Sequence, residues 1–225
     1  MSAPADDAVA SLSTARERAE QLFLQNQPAE ALPEFQEAIR NDPQRPQLYV
    51  QLAVVYEQLG QPEQAESILR QGLDRNPGQG HIFYHNMAVQ RIRAGDLPGA
   101  ERLFLRSAEH DASFGPPWRN LGNIAVESGA YPDAIERYER YLALSPQSSA
   151  RDSVERMIAR LNALMLAEEQ RIQAEERERA EIERRRRELQ EAVRRSLEES
   201  RREAERSGGG DEGFESIEDD FDIFD

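Results

Sequence analysis

Four stretches of this chain repeat one another in register: AEALPEFQEAIRNDP (29–43), EQAESILRQGLDRNP (63–77), PGAERLFLRSAEHDA (98–112) and PDAIERYERYLALSP (132–146). Aligned on Ala31, Ala65, Ala100 and Ala134, they recur at intervals of 34, 35 and 34 residues. A large apolar residue follows each alanine by four positions: Phe35, Leu69, Phe104 and Tyr138. Pro43, Pro77 and Pro146 follow it by twelve, with Ala112 standing in the third unit. A fixed period of this length is the mark of a repeat array, in which each unit is one supersecondary element unable to bury its apolar face alone.

The upstream halves keep the same register. Tyr49, Leu52, Ala53 and Tyr56 correspond to Tyr84, Met87 and Ala88, and to Trp118, Leu121, Gly122 and Ala125, with Ala15, Arg18 and Ala19 in the first unit. Gly60, Gly95 and Gly129 fall midway, where glycine supplies the left-handed conformation that ends a helix. Pro28, Pro62, Pro98 and Pro132 follow, where a helix start makes no use of the missing N–H. Each unit therefore reads as helix, short turn, helix, and the fold class is all-α.

The series Trp118, Leu121, Gly122, Ala134, Tyr138 and Pro146 resembles the tetratricopeptide repeat, whose period is 34 residues. The resemblance covers residues 12–148, in units 12–45, 46–80, 81–114 and 115–148, and implies an α-solenoid of about four repeats. In that family the first helices line a concave face that receives peptides. Carried over by column, the lining here is Arg16, Glu20 and Phe23; Gln47, Val50, Val54 and Glu57; Ile82, His85, Val89 and Ile92; and Arg119, Asn123 and Val126. Val50, Val54, Ile82, Val89, Ile92 and Val126 are not required by the repeat core, yet they are apolar. They suit an apolar peptide or amphipathic helix carrying some acid, or they pack on neighbouring helices or on the C-terminal segment. The lysines and asparagines with which some members hold a partner's terminal carboxylate are represented by Asn123 alone, since all 28 basic residues are Arg.

After the repeats, Ser148 or Ser149 caps a further helix. Val154, Met157, Ile158, Leu161, Leu164 and Met165 recur at three- and four-residue steps, which predicts a capping helix over 149–166. From 167 to 206 the chain reads as an extended charged helix rich in i,i+4 Arg–Glu pairs, each worth about 0.2–0.5 kcal/mol. Its apolar heptads are not sustained, so a solitary helix and a self-associating coiled coil both stay open. Within it ELQEAVRRSLEES (188–200) places Leu189, Ala192, Val193, Ser196 and Leu197 on one stripe and resembles a ubiquitin-interacting motif. Residues 1–11 read as a flexible N-terminus. Residues 207–225 begin with Ser207–Gly210 and read as a disordered tail, in which eight acids alternate with Phe214, Ile217, Phe221, Ile223 and Phe224. Such alternation suits a short docking motif, for a separate partner or for the chain's own groove.

Charge and chemistry narrow the functions. The net charge is −15, against the basic footprint that nucleic acid demands; the Arg184–Arg187 run is flanked by Glu181, Glu183 and Glu188. There is no Cys, no apolar run long enough to span a bilayer and no secretory leader pattern at the N-terminus; a cytoplasmic protein without cofactors is expected. His81 and His85 lie four apart, but Ile82 stands where a metalloprotease helix carries Glu. No nucleophile–base constellation appears, so no enzyme is expected. The expectation is an adaptor with a groove for one partner and a tail for another. A chaperone-like holder of a client subunit and a regulatory subunit of an enzyme complex are the alternatives.

Overall fold

The computed structural model describes residues 14–206, and among them every regular element is helical. The order is α1 (Ala15–Leu24), α2 (Pro28–Asn41), α3 (Pro46–Gln58), α4 (Pro62–Arg75), a 3₁₀ turn (Pro77–Gln79), α5 (Gly80–Arg93), α6 (Leu97–His110), α7 (Pro116–Glu127), α8 (Tyr131–Leu144) and α9 (Arg151–Arg206). From α1 to α8 each helix packs on the next, and α3 also touches α5, the first helix of the following unit. This is the solenoid that the period calls for.

The hinge inside each pair is built the same way four times. Gly60, Gly95 and Gly129 have φ of 70°, 76° and 76°, and Asn26 takes the same place in the first unit with φ 55°. Asparagine is the residue that best tolerates this region after glycine. One residue later the amide of Gln27, Gln61, Asp96 or Ala130 donates back to the carbonyl of Leu22, Tyr56, Arg91 or Ala125, at 3.0, 2.8, 2.9 and 2.9 Å. That bond closes a Schellman turn and satisfies a carbonyl the helix end would leave open. Nothing lies within 4 Å of a Cβ placed on Gly95, so Gly95→Ala isolates the conformational term. It is expected to cost about 1–2 kcal/mol in urea denaturation, with the m-value unchanged.

Second helices begin at or one residue before their prolines and end ahead of the closing ones. The third unit, lacking that proline, closes α6 differently. The Asp111 carboxylate accepts from the Ser113 amide at 2.9 Å and from its hydroxyl, a side-chain turn that carries the chain on to Phe114.

The small and large columns interlock as the array requires. Ala31, Ala65, Ala100 and Ala134 are fully buried, as are Phe35, Leu69 and Phe104. Two glycines permit closer approach than any side chain would. A Cβ on Gly72 would stand 2.3 Å from the Phe83 ring, and one on Gly122 would stand 2.5 Å from the Tyr138 ring. The buried residues fall into three clusters: units one and two with the start of unit three, the rest of unit three with α7, and unit four with the start of α9. Leu103 packs against the first and second, Trp118 against the second and third.

Polar ties run within units and between them as well. The Tyr49 hydroxyl and the Asn76 amide both donate to the Pro43 carbonyl. Ser107 donates to the His81 carbonyl at 2.7 Å. Arg137 on α8 reaches the Leu121 carbonyl at 3.0 Å and Glu101 on α6 at 2.8 Å.

The last repeat is covered by one row of α9: Val154 and Leu161 are buried and Ile158 packs beside them. Met157, Leu164 and Met165, expected on the same face, are exposed. A straight helix presents a single i, i+4, i+7 row to its support, and those three side chains fall on either side of it. Ser148 accepts from the Ala150 amide at 3.2 Å just ahead of this helix. Residues 163–206 form a separate unit, a charged helix with i,i+4 ion pairs such as Arg185–Glu181 at 2.6 Å and Arg194–Glu198 at 3.4 Å.

Candidate peptide-binding groove

The groove columns sit on the first helices α1, α3, α5 and α7. On α3, Gln47 is exposed, and Val50 and Val54 are half-buried. On α5, Ile82, His85, Val89 and Ile92 are all half-buried; on α7, Arg119 and Val126 are half-buried and Asn123 is exposed. The apolar members divide their surface. Val50 leans on the first cluster, Val89 and Ile92 on the second and Val126 on the third. Each still shows part of its surface, as a residue that both supports a helix and lines a face must. On α1, Phe23 meets Phe35 edge-on at 6.0 Å and Arg16 pairs with Glu20 at 3.9 Å. This end of the array therefore spends its groove positions largely on its own packing.

Charge is arranged unevenly along the face. Between α3 and α5, Glu57 and Arg93 form an ion pair and neutralise one another. On α7 no carboxylate among the described residues pairs with Arg119; its guanidinium lies over the Tyr141 ring at 5.7 Å. Beside it the Tyr138 hydroxyl donates to the Asn123 carbonyl oxygen at 2.7 Å. With that oxygen engaged, the Asn123 amide N–H₂ is turned out as a donor. A cation and an amide donor thus stand one helical turn apart on α7, in the same first-helix columns that carry half-buried aliphatic side chains on α3 and α5.

His85 marks the seam between those parts. Its ring lies 5.3 Å from Phe104 and 5.6 Å from Phe114. Burial, and secondarily the nearby Arg119 charge, pulls its pKa from 6.5 to about 4, so it is neutral at physiological pH and acts as part of the apolar surface. His81 also packs on Phe114, with ring centroids 4.9 Å apart. Both members of the i,i+4 histidine pair thus pack on a loop phenylalanine. Among the described residues no group of three or more His, Cys, Asp or Glu side chains is placed to hold a metal ion. None of their helices is long and apolar enough to cross a membrane.

Three features were not visible in the repeat columns: the Phe114 insertion, the Glu57–Arg93 pair, and Arg140, whose guanidinium stacks 3.8 Å over the Trp118 ring. Each joins residues from different elements at no fixed spacing. A cavity of about 290 Å³ between the α6 start and the α7–α8 turn is lined by Leu97, Glu101, Ile124, Asp133 and Arg137 among others. It lies away from the groove columns. The tail residues Phe214, Ile217, Phe221, Ile223 and Phe224 lie outside the described residues.

The tetratricopeptide repeat pattern matches residues 22–83 and again residues 86–149. The chain belongs to the tetratricopeptide repeat family. Its members are protein-interaction modules, and solved structures agree on the fold. The tetratricopeptide array here superposes on Pseudomonas aeruginosa pilF with a TM-score of 0.55 at 21% identity, over 68% of this chain and 70% of that one. It superposes on the APC/C hetero-tetramer Cut9–Hcn1 with a TM-score of 0.50 at 20% identity, over 58% of this chain and 25% of that one. YrrB, described as a TPR protein with an unusual peptide-binding site, is 18% identical with a TM-score of 0.48, over 63% and 73% of the two chains. No curated protein matches significantly.

Proposed function

We propose that the chain is a non-enzymatic adaptor whose repeat groove holds an amphipathic peptide or helix. The apolar side of that segment lies on Val50, Val54, Ile82, Val89 and Ile92, and a carboxylate of it meets Arg119 and Asn123. The observation that carries this reading is an Arg without an acidic partner among the described residues, and an exposed amide engaged only through its oxygen, in the same first-helix columns as half-buried aliphatic side chains. An isolated acidic peptide would gain little from the aliphatic part, and a purely apolar one would leave Arg119 desolvated without compensation. A second partner is assigned to the acidic–aromatic residues 207–225, whose five large apolar side chains exceed what a solvating tail uses.

The test is affinity capture with the full chain and with a chain lacking 207–225, followed by anisotropy titration of the captured segment. Arg119→Ala is expected to weaken groove binding about 10- to 100-fold, the worth of a hydrogen bond to a charged group. Arg102→Ala, on the exposed side of the second helix α6, is expected to leave it unchanged. Equal affinity for the wild type and Arg119→Ala would remove the groove assignment. Loss of one partner and retention of another on deleting 207–225 is the result expected for the tail.

A further inference from the structure

The helix of unit 163–206 leaves Met165, Ile172, Ile182 and Leu189 exposed at 37%, 46%, 59% and 64%. These four lie on a single three–four spaced row: 165, 168, 172, 175, 179, 182, 186, 189. The intervening members are Glu168, Glu175, Arg179 and Arg186. Taken one chain at a time, the charges break the apolar heptads. Taken two at a time, they do not.

We propose that residues 165–189 pair with the same stretch of a second copy as a short antiparallel coiled coil centred on position 177. In that register residue i faces residue 354 − i of the partner chain. Met165 then meets Leu189, Ile172 meets Ile182, Glu168 meets Arg186 and Glu175 meets Arg179, and twofold symmetry repeats each layer. Every apolar side chain faces an apolar one, and every carboxylate faces a guanidinium. Such layers join a and d positions, the pairing an antiparallel seam uses, and a twofold interface requires this self-complementarity.

The in-register parallel dimer puts Glu168, Glu175, Arg179 and Arg186 each against its own copy. Like charges facing one another cost several kcal/mol, so the same four residues that weaken the seam also fix its direction. In the single chain Arg171 bridges Glu168 at 2.6 Å and Glu175 at 3.8 Å, with all three side chains more than half exposed. Exposed pairs of this kind contribute little and yield readily to partner contacts. The row cannot extend toward the N-terminus, because Leu161 and Val154 are buried against the last repeat. Glu169, Glu176 and Glu183 border the seam on one side, which holds the association in the range that dissociates on dilution.

Sedimentation equilibrium of the full chain tests this. The expected result is twice the 25.6 kDa chain mass at high concentration, falling toward the single-chain mass on dilution. Glu175→Arg alone, and Arg179→Glu alone, each turn two layers from opposite to like charge and are expected to weaken association roughly a hundredfold or more. Mixed one to one, the two variants restore every pairing and are expected to recover the dimer. Circular dichroism is expected to show unchanged helix content, since the substituted positions are exposed. The chain has no Cys, so Ile172→Cys and Ile182→Cys provide a second measurement. A mixture is expected to cross-link under mild oxidation, and neither variant alone. A single-chain mass at every concentration, single charge variants that still dimerise, a mixture that stays monomeric, or self-cross-linking of Ile172→Cys would each overturn the proposal.

Discussion

Replacing Phe83 with alanine is expected to cost about 3–5 kcal/mol, read as a fall in the urea midpoint with the m-value preserved. The ring is fully buried, edge-on to Tyr49 at 6.3 Å, and rests on the backbone of Gly72. Unlike the alanine columns, this contact joins the second helix of one unit to the first helix of the next, so the cavity falls at a joint between units. The converse substitution loads the same joint. Gly72→Ala places a methyl 2.3 Å from the ring and 2.9 Å from the Tyr49 Cβ. It is expected to cost about 1–3 kcal/mol from overpacking, partly offset by alanine's better helix propensity. Because the two changes act on one contact, they should not add. Gly72→Ala in the Phe83→Leu background is expected to cost less than in the wild type, and equal costs would show that the joint had relaxed in some other way.

Lowering the pH from 7 to 5 should destabilise the wild type measurably more than His85→Phe. His85 titrates near 4 in the fold against an ordinary 6.5, because burial beside Phe104 and Phe114 disfavours the imidazolium and Arg119 adds repulsion. Between those values the unfolded chain holds the proton and the folded chain does not. The stability contributed is thus full above pH 6.5, declines as pH falls through the window and levels off below 4. Its full size is roughly 3 kcal/mol. Carboxylates held low by their neighbours, such as Glu66 beside Arg70 and Arg91, lose stability in the same direction but at lower pH. The comparison with His85→Phe between pH 7 and 5 separates the two. Parallel pH profiles would mean that His85 is solvated in solution.

The solenoid was legible because its determinants are local and periodic. The columns of Ala31, Phe35 and their equivalents specify burial by spacing, and the midpoint glycines specify a φ that other residues reach with strain. Asn26, which the glycine pattern does not single out, takes the same conformation in the unit where glycine is missing. The width of the apolar face on α9 was not legible. Spacing shows that Met157, Leu164 and Met165 lie near Val154 and Leu161, but which row meets the last repeat depends on how the helices pack. The groove shows the same limit. Column position assigned Val50 and Val89 to the face, while the division of each side chain between support and exposure depends on its neighbours. Arg93, Phe114 and Arg140 gave no sequence signal at all, since their partners come from other helices at irregular separations.

Among the described residues, the three buried clusters share Leu103 and Trp118 as the side chains packed against two of them. A stack connected through such neighbours behaves as a row of coupled two-state elements, each opening at a free energy set by itself and its two neighbours. Amide exchange should therefore be graded along the chain, slowest where Ala53, Val55 and Leu69 sit between supported units and faster toward α8. A ligand gripping α7 would slow exchange most in the elements adjoining Trp118, so the range over which binding is felt is set by the strength of that one indole contact.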